Sequence, residues 1–252
     1  MQASDMKNKA ALVTGAADFL GRATALRLAR AGAHLCLVDA ASDDLEETAR
    51  LAGDLGVQAV VEAVDIGARE SCVTAVNHAV QRFGRLDALC NIDNVFRPSR
   101  TLTATQLDWE RTLAINLSAP FYLMQAALPH LISAGGAIVN VLSPVAVGAH
   151  PLTAAYTASK AGLAQLTRSM AKEFLADNVR INAVLFGGTA MGNRAAAGVP
   201  PDLDPKLFQK SPSTRPAIPI EAVADAIAFL ASDAAAGFYG SIVSLDNGIS
   251  LG

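Results

Sequence analysis

Tyr156 and Lys160 stand four residues apart in the stretch Tyr156-Thr157-Ala158-Ser159-Lys160. On a helix that spacing puts two side chains on one face, about a turn apart. A free tyrosine titrates near ~10 and is a poor base at neutral pH, but a nearby ammonium favours the phenolate and lowers that value. The pair is therefore equipped to move a proton. An exposed aromatic beside a solvated lysine has the same spacing, so the pair needs company before it means chemistry.

The elements that must position the pair read as an alternation of short apolar runs and longer helical patterns. Strands are expected at residues 10–14, 33–38, 58–64, 86–90, 137–142, 179–185 and 241–245. Helices are expected at 20–31, 43–55, 69–83, 103–131, 153–176 and 221–230. This is the pattern of an α/β fold: a doubly wound parallel sheet of about seven strands with helices on both faces. The 252 residues, 52% hydrophobic and 17% charged, suit one domain, 1–252, whose sheet is buried on both faces. Residues 187–219, with six prolines, form the one long irregular stretch, expected to be a lid over the substrate.

Composition narrows the classes of partner. A net charge of -3 gives no reason to expect nucleic acid or an anionic membrane surface. Residues 1–9 are polar, and no run of about 18 apolar residues offers a membrane span. Cys36, Cys72 and Cys90 are scattered, two of them in expected buried strands, and read as reduced thiols of a cytoplasmic protein. His34, His78, His130 and His150 lack ligand spacing, so no metal is expected.

The first strand runs into Thr14-Gly15-Ala16-Ala17-Asp18-Phe19-Leu20-Gly21, and a helix follows. Gly15 suits a tight turn and Gly21 suits close packing of helix on sheet. The helix N-terminus then offers backbone N–H groups and a positive dipole end to a pyrophosphate. The second strand ends at Asp39, whose carboxylate can accept from the ribose hydroxyls of NAD and repel the 2′-phosphate of NADP. Ala40 and Ala41 follow it, with no cation to welcome a phosphate. Asp39 as a helix N-terminal cap is the other reading.

With these positions in hand the chain resembles a short-chain dehydrogenase/reductase of about 250 residues, over essentially its whole length. That family has a TGxxxGxG turn, an acidic end to strand two in NAD users, an Asp closing strand three, an NNAG motif after strand four, a catalytic Asn, and a Ser thirteen residues before YxxxK. Here those positions read Thr14 to Gly21, Asp39, Asp65, Asn91-Ile92-Asp93-Asn94, Asn116, Ser143, and Tyr156 with Lys160. The resemblance implies a Rossmann-type fold, and cofactor contacts from Gly15, Asp18, Phe19, Leu20, Gly21, Asp39, Asp65, Ile66, Asn91, Tyr156, Lys160, Gly187 and Thr189. Departures cluster on the nucleotide side. Phe19 replaces the middle glycine, Asp93-Asn94 replaces Ala-Gly, and Phe186 and Met191 stand where Pro and Thr are usual, with Thr189 two places early.

The resemblance also implies hydride transfer between NAD(H) and a secondary alcohol or ketone. Tyr156 would be the acid/base, Lys160 would lower its pKa and hold the ribose hydroxyls, and Ser143 would donate to the substrate oxygen. Asn116 would link Lys160 to solvent through a water. The expected pocket residues Phe96, Pro144, Val145, Leu152, Phe186 and Met191 are mostly apolar and point to a hydrophobic substrate; His150 reads as a loop residue. The family further implies pairing of the 103–131 and 153–176 helices in a homotetramer. A catalytically silent dinucleotide-binding sensor or partner subunit is the competing reading. The intact Asn116, Ser143, Tyr156 and Lys160 speak against it.

Overall fold

The computed structural model describes residues 5–189 and 215–251. Seven parallel strands run in the order β3-β2-β1-β4-β5-β6-β7. They are β1 (Ala10–Thr14), β2 (His34–Asp39), β3 (Ala59–Ala63), β4 (Ala88–Asn91), β5 (Ala137–Leu142), β6 (Arg180–Phe186) and β7 (Ile242–Leu245). The order reverses between β1 and β4, where Val13 lies beside Cys90. Such a switch point opens a crevice at the carboxyl ends of the strands. β1 and β5 are buried along their full length, as apolar strands covered on both faces must be.

The helices are α1 (Phe19–Arg30), α2 (Ser42–Gly53), α3 (Arg69–Phe83), α4 (Gln106–Leu113), α5 (Ala119–Ala134), α6 (Ala154–Glu173) and α7 (Ile220–Ala231). Leu28, Leu45 and Ile227 pack α1, α2 and α7 on one face; Val76, Leu123 and Met170 pack α3, α5 and α6 on the other. No helix among the described residues is long and apolar enough to cross a membrane.

The expected helix at 103–131 is two helices. Thr105 caps α4 by accepting from Asp108 N at 3.0 Å, which delays the start to Gln106. A π-helical turn, Ala114–Ser118, then separates α4 from α5 and carries Asn116. Such turns cluster at functional sites. α5 continues past Pro129 to Ala134, where Gly135 in the left-handed region ends it. Of the expected 187–219 lid, residues 190–214 lie outside the described residues, as does Met191. The flanks are stitched together: Thr189 pairs with Ile218, and Ile218 N donates to Gly188 O at 3.0 Å.

Candidate active site

The turn after β1 is locked by close backbone approach. Gly15 has φ 65°, and a Cβ there would lie 2.9 Å from the Cα and N of Asp93. A Cβ on Gly21 would lie 1.9 Å from the Gly15 carbonyl oxygen, so no larger residue fits. Thr14 Oγ1 accepts from Ile92 N (3.0 Å) and Asp93 N (3.1 Å), tying the end of β1 to the segment after β4. Asp18 caps α1 by accepting from Phe19 N at 2.8 Å. Asp39 accepts from Ala17 N (3.0 Å) and Ala41 N (3.1 Å), so its carboxylate braces the glycine turn from the end of β2. It is not the cap of α2: that place belongs to Ala41, without a side-chain bond.

Tyr156 and Lys160 sit on the first turns of α6, which face the cleft beyond β5. Leu152, just before the helix, is held at φ 64°, a strained conformation for a branched side chain, with its carbonyl accepting from Ser99 N at 2.9 Å. The side chains of Ser143 and Asn94 lie near enough to the Tyr156 hydroxyl to favour its ionised form. Ser143 is available for this because it makes no side-chain cap to the short 3₁₀ turn Pro144–Ala146 that follows it. Lys160 is 2% exposed, and its Nζ donates to Val141 O at 3.1 Å.

Electrostatics correct one expectation. Burial pushes the Tyr156 hydroxyl above its ordinary range, opposed by the Ser143 and Asn94 hydrogen bonds. Lys160 lies 5.8 Å from the ring centroid and is itself pushed down to about 8 by burial, opposed by Asp93. In this state the lysine does not create a phenolate. Asn116 is fixed by its own side-chain amide. Its Oδ1 accepts from Val95 N (2.8 Å), and its Nδ2 donates to Val95 O (2.8 Å) and Ser159 Oγ (3.2 Å). Both amide protons are used, and the side chain staples the segment after β4 to α6.

Two hollows adjoin the glycine turn. The larger, about 710 Å³, lies between α1 and α7 and holds none of the candidate catalytic residues. The smaller, about 220 Å³, brings together Gly15, Asp18, Leu20, Gly21, Asp39, Tyr156 and Lys160. Phe19 is 63% exposed and lines the larger hollow, on the other side of α1 from the cleft. Asn91 is buried with its Nδ2 on Asn140 Oδ1 (2.7 Å), under α5 and α6. Asp65 pairs with Arg111 at 2.8 Å and accepts from Gly67 N at 2.8 Å, and Ile66 packs in the core beneath α3. Gly187 packs on Pro144, where a Cβ would come within 2.6 Å, and Thr189 lies in the stitch described above. Asp93 and Asn94, unassigned from the sequence, both line the cleft. Their signal was the pair of polar residues in place of Ala-Gly.

The family model described as Enoyl-(Acyl carrier protein) reductase matches residues 15–250. Cis-4-hydroxycyclohexanecarboxylate dehydrogenase of Sinomonas cyclohexanicum is 37% identical over 95% of this chain and 96% of its own. D-threitol dehydrogenase of Mycolicibacterium smegmatis is 37% identical over 98% of this chain and 94% of its own. Among solved structures, carveol dehydrogenase of Mycobacterium avium in complex with NAD superimposes with TM-score 0.88 at 29% identity, covering 99% of this chain and 100% of that one.

Proposed function

The chain belongs to the short-chain dehydrogenase/reductase family, and from that premise we propose that it oxidises secondary alcohols on a six-membered carbon ring with NAD rather than NADP. It is an oxidoreductase that transfers a hydride between a nicotinamide dinucleotide and an alcohol or ketone. The interlocked Gly15 and Gly21 turn, which brings the start of α1 to the cleft, fits that cofactor. Gly15, Leu20 and Gly21 would hold the pyrophosphate, Asp39 the adenosine ribose, and Lys160 and Tyr156 the nicotinamide end. The cofactor supplies the two-electron chemistry.

The observation that carries this reading is that Tyr156 and Lys160 line one cleft with Asp39 and the Gly15–Gly21 turn, with Ser143 beside the Tyr156 hydroxyl. Protonated, Tyr156 donates to a ketone oxygen; in alcohol oxidation it accepts the hydroxyl proton, aided by the Lys160 ammonium. Ser143 holds the reacting oxygen, and Asn116 positions the wall that carries Asp93 and Asn94. Asp39 braces the turn and meets ribose hydroxyls as an acceptor, while a 2′-phosphate would bring like charge to the same place. The Phe96 ring stands edge-on to Tyr156 at 5.0 Å and offers an apolar face suited to a ring carbinol. Hydroxycyclohexanecarboxylate and carveol are both such alcohols.

One domain over 1–252, a cytoplasmic setting and a homotetramer complete the proposal. The apolar patch of Leu117 on the π-helical turn, Phe121 and Tyr122 on α5 and Leu166 on α6 supports pairing of those helices. The test is NADH formation with substituted cyclohexanols set against threitol, using NAD and NADP. The cyclic alcohols should lead by at least about tenfold in kcat/KM. A lead for threitol would move the substrate to acyclic polyols.

A further inference from the structure

Asp93 follows β4 directly, and backbone contacts fix its place on the cleft wall. Its N–H donates to Thr14 Oγ1 at 3.1 Å, and its Cα and N lie against Gly15 at the distance that excludes a Cβ there. Its Oδ1 accepts from Asn94 N at 2.7 Å, and the half-buried side chain lines the cleft. Charged groups bear on it from each neighbouring element: Asp39 from the end of β2, Lys160 from α6 and Arg111 from α4. Asp18 from the glycine turn and Tyr156 from α6 line the same cleft. A dinucleotide that reaches from Asp39 to Lys160 must carry two phosphate charges past this carboxyl.

We propose that Asp93 makes cofactor binding proton-linked: the dinucleotide binds when the Asp93 carboxyl is protonated, and binding takes up that proton. The inference rests on the reading of the cleft as a dinucleotide site. Burial and Asp39 already hold this carboxyl up at about 6, against the opposing pull of Lys160 and Arg111. Two more negative charges nearby push it higher. A neutral carboxyl offers the cofactor an O–H donor, whereas a carboxylate repels it. The sign follows from linkage. Below about pH 6 the proton is present before and after binding, and affinity is flat; above that, each pH unit weakens binding by up to about tenfold until the bound-state pKa is reached. An ionised Asp93 accepting from a ribose hydroxyl would behave in the opposite way.

Calorimetric titration of the whole chain with NAD, between about pH 6 and 7.5 in buffers of different ionisation enthalpy, reads affinity and proton uptake together. The wild type should lose about tenfold in affinity across that window and take up most of a proton at its upper end. Asp93→Asn should change less than about twofold and bind NAD more tightly than the wild type at the upper end. Lys160 titrates mainly above the window in the wild type and loses the pull of Asp93 in the variant, so the wild-type curve and its proton uptake carry the decision. A flat wild-type curve, or weaker binding by Asp93→Asn, overturns the proposal. The wild-type curve decides the matter even if the variant folds poorly. No NAD binding at any pH overturns instead the reading on which the proposal rests.

Discussion

The two ends of the cleft are held to different standards. At the Tyr156 end the candidate catalytic groups are held by neighbours: Ser143 and Asn94 beside the hydroxyl, Val141 O on Lys160, and Val95 on Asn116. At the Gly15 end three acidic side chains, Asp18, Asp39 and Asp93, line the place proposed for a dianionic pyrophosphate, with Lys160 the one cation among the described residues of the cleft wall. Proton transfer depends on side chains at set positions, so those positions keep their residue types. Pyrophosphate is held by backbone N–H groups and a helix dipole, which survive a change of side chain. Departures from the family pattern therefore collect where the backbone does the binding.

Each prediction presses on one side of that contrast. Ser143→Ala removes a donor to the reacting oxygen and should lower kcat by about 10²-fold, with NAD affinity nearly unchanged; steady-state kinetics with a cyclohexanol decide it. At the other end, Asp39 should give at least about a hundredfold preference for NAD over NADP in kcat/KM, since repulsion of the 2′-phosphate and acceptance from the ribose act in the same direction. Asp39→Ala should shrink the preference, mainly by weakening NAD use. Equal use of the two cofactors by the wild type would reduce Asp39 to a brace for the turn.

Asp93 also has a folding signature. Its pKa is raised, so its favourable contribution is complete below its ordinary value of 3.8 and is lost as pH rises through about 6. Asp93→Asn escapes that loss and should be more stable than the wild type by about 1–3 kcal/mol near pH 8, with no difference below about pH 4, by chemical denaturation. The smallest effect is expected at Phe19, whose ring lies outside the cleft: Phe19→Gly should shift the NAD dissociation constant by no more than about threefold, with a modest stability cost for glycine in the first turn of α1. A tenfold tightening would return the ring to the pyrophosphate site.

How much of this was legible depended on which physical rule spoke. The strands at Ala10–Thr14 and Ala137–Leu142 begin and end where apolar runs meet turn residues, and both bounds could be read. The break around Asn116 could not, because it follows from a tertiary bond to Val95 with no local signature. The late start of α4 was written in Thr105-x-x-Asp108, a capping pattern hidden by the longer apolar periodicity around it. Phe19 was legible by helix phase: with Leu20 and Gly21 against the sheet, Phe19 shares its face with Arg22 and Ala23 and turns to the larger hollow. The pKa of Tyr156 needed the structure, because the spacing of the pair gives its reach and not its burial.

The most direct test of the contrast is Tyr156→Phe, measured for NAD dissociation constant and for turnover of a cyclic secondary alcohol on the same preparation. The proton-transfer account predicts NAD affinity within about twofold of the wild type and turnover reduced by about 10²–10⁴. Turnover near the wild-type rate in a variant that still binds NAD would remove Tyr156 from the chemistry and contradict the account at its centre.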